Sequence, residues 1–244
     1  MAERGDVPGD LPPPDLISAS GSPADALEAL QEECAEVSKI VSGLSEGDFS
    51  RPTRCAAWNV KQLLAHMYWG LNRATRSLAE PAPEAADADY VSYWRRYDRL
   101  EDAPDIADRA TSRAQEFATG TELADSWEGL WRAVVESAGR EDRGRIVSTW
   151  GPTLTLDDFL KTRVLEITVH RMDMEDALGQ KGWGTDQAVS IVDDTLEGLL
   201  GEEPPSELEW DVVDFIETGT GRRALTDGEL EILGPLADRF PLLG

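Results

Sequence analysis

The stretch LDDFLKTRVLEITVHRMDMEDALG, residues 156–179, predicts one long helix and contains the spacing on which the interpretation of the chain depends. Thr155 can cap the first turn as the start of a short capping box, and Gly179 ends the helix. Glu166 and His170 are four residues apart, so a helix places both side chains on one face, one turn apart. A carboxylate and an imidazole placed in this way can hold one metal ion.

The chain contains only two histidines, and the other one, His66, falls on a different helix that should face the interior. His66 from a facing helix can therefore complete a set of three ligands with Glu166 and His170. Two imidazoles and one carboxylate suit zinc with one coordination position left open, and they suit non-haem Fe(II) equally well. The alternative is that this spacing arose by chance and that Glu166 only forms a pair with an imidazole, without a metal ion.

Apolar residues at helical spacing predict three more long helices before this one. The first begins at Ser22, with Pro23 at its first helical position. The second begins near Trp58 after a loop and ends before Pro81. A third helical region covers about 105–138 and is interrupted at Gly120. Residues 84–104, acidic and aromatic, are expected to form a short helix or an ordered loop.

The segments around and after the long helix at 156–179 give weaker signals. Residues 145–155 alternate weakly and predict a small hairpin. Helices are predicted at about 185–200 and 211–218, although the second segment also fits a strand. Thr226 opens a last short helix with a capping box. The sequence thus predicts an all-α fold, an up-down four-helix bundle with a short, mostly helical C-terminal extension.

We divide the chain into three parts on these patterns. Residues 1–21 are rich in Pro, Gly, Asp and Ser, and we expect a flexible tail because they bury little apolar surface. Residues 22–180 form the bundle, and 181–244 form the C-terminal helical extension.

Composition excludes several classes of function. Lys and Arg total 23 against 48 Asp and Glu, a formal net charge of −25. Such a surface repels phosphates, so we expect no nucleic-acid partner and no membrane-docking patch. Two cysteines cannot hold a chain of 244 residues as a disulfide scaffold, and there is no apolar signal segment. We therefore expect a cytoplasmic protein, with Cys34 in the core.

Two motifs resemble those of the mycothiol-dependent maleylpyruvate isomerase family, which belongs to the DinB-like metal-binding four-helix bundles. The segment CAAWNVKQLLAHM, residues 55–67, looks like the first family motif, and RVLEITVHRMD, residues 163–173, looks like the second. TGRRALTDGELEILG, residues 220–234, is similar to a C-terminal segment of that family. The chain departs from the pattern at Ala56-Ala57 and Asn59, near the start of a helix, which leaves the thiol and substrate contacts in doubt.

The resemblance implies a function for the metal-ligand set. His66, Glu166 and His170 match the family's ligands, and the implied metal is zinc, with iron or nickel as alternatives. It also implies that mycothiol, or another low-molecular-weight thiol, binds at the metal as a co-substrate. The expected enzyme is an isomerase or an S-transferase that activates this thiol to attack a small electrophile.

Other residues receive less specific assignments. Asp173 can orient an imidazole or merely balance local charge, and Arg163 can pair with Glu166 or meet an anionic substrate. The resemblance suggests that Arg222 reaches the site, where a guanidinium suits a carboxylate or the acidic parts of a thiol cofactor. Asp173 and Arg222 are therefore our catalytic candidates. Arg222 and Arg73, which lies on the same side of its helix as His66, are our cofactor-binding candidates.

Three functional classes remain open at this stage. They are the thiol-utilising enzyme, a different metalloenzyme such as a zinc hydrolase or an iron enzyme, and a non-catalytic metal-binding or regulatory module. The expected partners of the enzyme are a small thiol and a small electrophile, and the expected assembly is a monomer or a homodimer. A Ser/His/Asp triad is excluded if the only two histidines hold metal. Cys55 precedes a helix, where a thiolate is favoured, but a packing role is preferred because the family uses an external thiol.

Overall fold

The computed structural model describes residues 24–55, 58–96, 99–180 and 182–243. The helices and strands are, in chain order, α1 (Ala26–Val41), α2 (Glu46–Phe49), α3 (Val60–Ala79), α4 (Tyr90–Trp94), α5 (Arg99–Ala114), α6 (Gly120–Ala138), β1 (Ile146–Ser148), β2 (Thr153–Thr155), α7 (Leu156–Leu178), α8 (Asp186–Leu200), α9 (Val212–Gly219) and α10 (Asp227–Leu233). Short 3₁₀ helices cover Ser206–Leu208 and Gly234–Arg239.

Four long helices, α1, α3, α6 and α7, form the bundle. Helices α1 and α3 each pack against both α6 and α7, which makes a ring of four around one apolar core. The fully buried Trp127 of α6 lies in that core, and its indole N–H donates a hydrogen bond to the backbone carbonyl of Cys34, 3.2 Å away on α1. Cys34 is itself buried, as predicted. The predicted fold class, a helical bundle with a helical C-terminal extension, is confirmed.

The first helix begins later than the sequence pattern suggested. Its N-cap is Asp25, whose carboxylate accepts a hydrogen bond from the backbone N–H of Leu27 at 2.8 Å. The predicted start at Ser22 was therefore wrong, because Asp25 is an equally good cap and lies next to the first buried residue, Ala26. Ser22 and Pro23, like the predicted tail at 1–21, lie outside the described residues.

The middle of the chain is more divided than predicted. The loop before α3 contains the short helix α2, which Ser45 caps with a full capping box. The helical region 105–138 is interrupted beside Gly120, as predicted, because α5 ends at Ala114 and α6 begins at Gly120. Gly120 opens a helix there because its missing Cβ leaves room for the ring of Phe49. Helix α4 supplies the short helix expected within residues 84–104.

Helix α7 has the ends that the sequence predicted. The preceding residues form the expected hairpin, in which Val147 pairs with Leu154. The Thr155 hydroxyl accepts a hydrogen bond from the backbone N–H of Asp158 at 3.1 Å. The second half of the predicted capping box is absent here, because the Asp158 carboxylate instead accepts from the Thr155 hydroxyl at 2.9 Å. Gly179 closes the helix at a φ of 72°, a left-handed conformation that favours glycine.

The C-terminal part packs on the outer side of α7. Leu165 and Val169 of α7 form a second apolar cluster with α8, α9 and the final segment. The segment 211–218, for which a strand was the alternative, is helical, and Thr226 caps α10 with the predicted capping box. The boundary between bundle and extension at 180/181 stays a prediction. Within the described ranges, no helix is long and apolar enough to cross a membrane.

The glycine that opens α6 provides a test of this packing. A Cβ added at Gly120 would lie 2.1 Å from Cδ2 of the buried Phe49. We expect Gly120→Ala to lower the free energy of unfolding by about 1–3 kcal/mol, the usual cost of overpacking. Gly129→Ala on the same helix is the matched control, because no atom lies within 4 Å of its added Cβ, and it should gain up to about 1 kcal/mol from helix propensity. Equal effects of both changes in denaturant unfolding would contradict the packing of α2 against α6.

Candidate metal centre and cavity

The three predicted ligands meet at the centre of the bundle. Glu166 and His170 project from one face of α7, and His66 approaches from α3. The donor atoms of the three side chains all lie within 4.8 Å of one another. His66 Nε2 and Glu166 Oε1 are 2.9 Å apart, and the two imidazole rings meet edge to face with centroids 5.0 Å apart. Side chains that are distant in sequence are therefore held as one group.

This group fits a divalent metal ion by its chemistry and its spacing. Donors about 2.0–2.1 Å from a tetrahedral zinc ion lie roughly 3.3 Å from each other. Here His66 Nε2 and Glu166 Oε1 are 2.9 Å apart, and no pair of donor atoms is separated by more than 4.8 Å. Gly70 on α3 leaves the space that the carboxylate occupies, because a Cβ at that position would lie 3.0 Å from Glu166 Oε1. With two imidazoles and one carboxylate, a fourth position stays open for an external ligand.

Arg163 keeps the Glu166 carboxylate ionised inside the protein. Its guanidinium forms an ion pair with Glu166 Oε2, and its side chain is only 3% exposed. Burial alone would raise the pKa of Glu166, but the charge of Arg163 and the hydrogen bond from His66 lower this pKa to about 2. The carboxylate thus carries its charge at neutral pH, with one oxygen turned to His66 and the other to Arg163.

Asp173 fixes the orientation of the His170 ring. Its Oδ2 lies 3.0 Å from His170 Nδ1. Because an ionised carboxylate can only accept, Nδ1 carries the proton and Nε2 keeps its lone pair for a metal. Burial would raise the pKa of Asp173, but hydrogen bonds from His170 and Arg222 hold it well below its usual range. Burial lowers the pKa of His170, which favours the neutral imidazole that binds metals.

Two guanidinium groups also bind the Asp173 carboxylate. Arg54 Nε donates to Oδ1 at 2.7 Å, and Arg222 donates to Oδ1 at 3.1 Å and to Oδ2 at 2.8 Å. The Asp173 side chain is completely buried. A buried carboxylate needs such partners, because its desolvation costs several kcal/mol. The C-terminal segment therefore acts on the centre through the contact between Arg222 and Asp173.

Cys55 lies beside this network. Its thiol donates a hydrogen bond to Asp173 Oδ2 at 2.9 Å, and its sulfur is 3.8 Å from His170 Nδ1. Cys55, His170 and Asp173 thus form a second group with donor atoms close together. A cation at this group would be repelled by the two guanidinium groups that already bind Asp173. The group of His66, Glu166 and His170 is therefore the better candidate for a metal site. Burial and the charge of Asp173 raise the pKa of the Cys55 thiol to about 12, which makes it a poor nucleophile.

A cavity of about 530 Å³ opens onto the group of His66, Glu166 and His170. A volume of this size suits a small molecule. Helices α3, α4, α5 and α7, the hairpin turn and the C-terminal segment all contribute to its wall. Its aromatic members are Trp58, Trp69, Tyr93, Trp94 and Trp150. Arg163 and Arg222 line its inner part, whereas Arg96 and Arg109 are exposed side chains at its rim.

The structure brings most of the predicted site residues together, but not Arg73. The Arg73 guanidinium forms two hydrogen bonds with Glu80, both at 3.1 Å, and a third with the backbone carbonyl of Ser148 at 2.9 Å. It thereby ties the end of α3 to the hairpin and does not line the cavity. Arg73 was predicted at the site because it lies on the same side of α3 as His66. The two residues are two turns apart, however, and each turn of the helix contacts different neighbours.

Sequence reasoning missed Arg54 and the grouping of aromatic side chains along the cavity. No pattern marks Arg54, which precedes Cys55 in an irregular segment and reaches Asp173 only through the fold. The position of Trp69 could have been predicted, because it lies one turn after His66 on the same helix and therefore on the same side. Trp150 lies in the turn of the hairpin, where an aromatic residue at 42% exposure suggests a binding surface rather than a core.

The contact between Asp173 and His170 predicts an effect on metal affinity. We expect Asp173→Asn to weaken binding of zinc by about 10–100-fold, because His170 loses its charged acceptor and two guanidinium groups lose their partner. Asp176→Asn, an exposed change on the same helix, should leave the affinity unchanged. The measurement is a competition titration with a chromophoric chelator. If the folded Asp173→Asn variant binds zinc with an unchanged dissociation constant, Asp173 does not orient His170 for metal binding.

Comparison with known proteins assigns the chain to a family. The family described as mycothiol maleylpyruvate isomerase N-terminal domain matches residues 30–175, which is more than half of the chain. The matched region contains His66, Glu166, His170 and Asp173 but ends before Arg222. No curated protein and no solved structure matches the chain significantly. The chain therefore belongs to the mycothiol maleylpyruvate isomerase N-terminal domain family.

Proposed function

We propose that the protein is a metal-dependent enzyme that uses a small thiol to attack an electrophilic small molecule, as an isomerase or an S-transferase. The observation that carries the proposal is the group of His66, Glu166 and His170 at the inner end of a small-molecule cavity. The family name supports a thiol, because it refers to mycothiol. Mycothiol or another low-molecular-weight thiol is the proposed co-substrate.

His66, Glu166 and His170 would hold the metal ion, with zinc favoured over iron or nickel. A divalent ion held there lowers the pKa of a coordinated thiol, so that the thiolate forms at neutral pH. All three side chains line the cavity, from which a small thiol would reach the ion. A metal ion at this group would replace the hydrogen bond that His66 Nε2 donates to Glu166 Oε1, 2.9 Å away.

The surrounding residues position these ligands. In addition, no histidine or carboxylate at the centre is available to transfer protons. Arg163 holds one oxygen of Glu166, and Asp173 holds Nδ1 of His170. Both histidines are committed to the centre, so no histidine remains as a general base. Glu166, with a pKa of about 2, stays ionised and does not carry protons at neutral pH. Protons would therefore exchange with water in the cavity, which opens to solvent near Trp150.

The proposed reaction needs no oxidant or reductant. The thiolate sulfur forms a bond to an electrophilic carbon of a conjugated double bond, and the displaced electron pair moves to the conjugated carbonyl oxygen. A transferase then takes one proton from water onto the adduct and releases it. An isomerase instead allows rotation about the new single bond, after which the electron pair returns, the carbon–sulfur bond breaks, and thiolate and the other isomer leave.

The reacting sulfur belongs to the external thiol in this proposal, and Cys55 has another role. Its thiol donates to Asp173, and its raised pKa of about 12 leaves almost no thiolate at neutral pH. Cys55 thus helps to fill the space behind His170. We assign Arg222, on the cavity wall, to holding Asp173 and to contacting the bound small molecules.

Thiol binding can be tested on protein loaded with Co(II). We expect added N-acetylcysteine or mycothiol to produce a thiolate-to-cobalt charge-transfer band and to release about one proton per chain. The band should be absent in His170→Ala and unchanged in Cys55→Ser, the matched control for an internal sulfur. A band present without added thiol and lost in Cys55→Ser would contradict the proposal. So would turnover of an electrophilic ester in the complete absence of thiol.

A further inference from the structure

Four aromatic side chains form a wall along the cavity, which we call the aromatic wall: Trp69, Tyr93, Trp94 and Trp150. Trp69 of α3 stacks on Trp150 of the hairpin turn, with ring centroids 4.6 Å apart and planes inclined by 26°. Tyr93 and Trp94 of α4 meet edge to face at 5.1 Å. Trp150 is 42% exposed, so its indole surface is available to a ligand. Surfaces of this kind bind planar rings.

The cations in the inner cavity already have anionic partners. Arg163 pairs with Glu166, and Arg222 pairs with Asp173 through two nitrogens. The side chains of Arg163 and Asp173 are almost completely buried. Removing one partner of a buried pair leaves an uncompensated charge, which is strongly unfavourable. A small dicarboxylate near the centre would have to compete with these pairs for its counter-charge.

The cations at the rim of the cavity do not supply a free counter-charge for a dicarboxylate either. Arg96 pairs with Asp87 at 3.4 Å, and Arg109 pairs with Asp105 at 3.4 Å, and all four side chains are about half exposed or more. Exposed cations are strongly screened by water and salt. The formal charge of −25 on the whole chain further repels an anion on its approach.

We infer that the electrophile of this site is an uncharged, planar, conjugated molecule that carries a carbonyl group, of the quinone or aryl-enone class, and not a small dianionic acid. The inference rests on the proposed function and names its substrate class. The ring lies against the aromatic wall, and the carbonyl group accepts the electron pair that the proposed thiol addition displaces. The electrophilic carbon would then lie beside His66, Glu166 and His170, which line the same cavity.

The test compares three unreactive probes by isothermal titration calorimetry on the full chain, without any thiol. The probes are 2-naphthamide, which is planar and uncharged, 2-naphthoate, which has the same shape and one negative charge, and maleate. Each probe is titrated into zinc-loaded and into chelator-treated protein, because a carboxylate can gain a direct contact with zinc. We expect 2-naphthamide to bind at least tenfold more tightly than 2-naphthoate in the chelator-treated protein, and maleate to show no measurable binding there.

Variants connect this binding to the aromatic wall. Trp150→Ala removes an exposed side chain and should weaken 2-naphthamide by about tenfold. Trp69→Leu should weaken it similarly. Leu230→Ala, an equally exposed apolar change on α10, is the matched control and should have no effect. Tighter binding of 2-naphthoate or maleate in both protein forms, equal affinities for all three probes, or no effect of Trp150→Ala would overturn the inference.

This experiment separates the substrate class from the proposed function. The cobalt band reports on the thiol and does not involve the aromatic wall. If 2-naphthoate or maleate binds more tightly than 2-naphthamide while the cobalt charge-transfer band is present, only the inferred substrate class is wrong. An absent band with the expected order of affinities would remove the thiol chemistry and leave a cavity for planar ligands.

Discussion

Charged side chains buried along α7 must be neutralised by partners on other segments, because an unpaired buried charge costs several kcal/mol. Glu166 meets Arg163 and His66, and Asp173 meets Arg54 and Arg222. On another side of the same helix, the buried Arg171 lies 3.2 Å from the fully buried Glu33 of α1. These pairs fix the rotation of α7 within the bundle. The position of the metal ligands follows from that rotation.

The same pairs explain why the C-terminal part belongs to the site. The matched family region ends at residue 175, yet Thr220, Arg222 and Leu243 line the cavity. Arg222 reaches Asp173 from a segment that is 49 residues further along the chain. The bundle thus supplies the ligands, and the C-terminal segment supplies part of the wall and half of the counter-charge for Asp173. Fold alone does not specify a reaction, so the chemistry depends on these contacts.

Local patterns in the sequence predicted what depends on local structure. The spacing of Glu166 and His170 determines their common face on any helix, and Thr155 and Gly179 determine where that helix starts and ends. The start of α1 was misplaced because Ser22 and Asp25 are both good caps, and only packing distinguishes them. Contacts between distant segments leave no local pattern. Arg54 was therefore missed, Arg73 was assigned to the site although it binds Glu80 and the hairpin, and the aromatic wall was not assembled.

The proposed chemistry requires a metal ion at His66, Glu166 and His170. The metal content of the purified protein tests this requirement most directly. Elemental mass spectrometry should find close to one divalent ion per chain in the purified protein. Glu166→Gln should abolish this content, whereas the exposed change Glu231→Gln should preserve it. A protein that is purified without metal and takes up none from zinc, iron or nickel salts would contradict the account. It would reduce the three side chains to a hydrogen-bonded group inside a helical bundle.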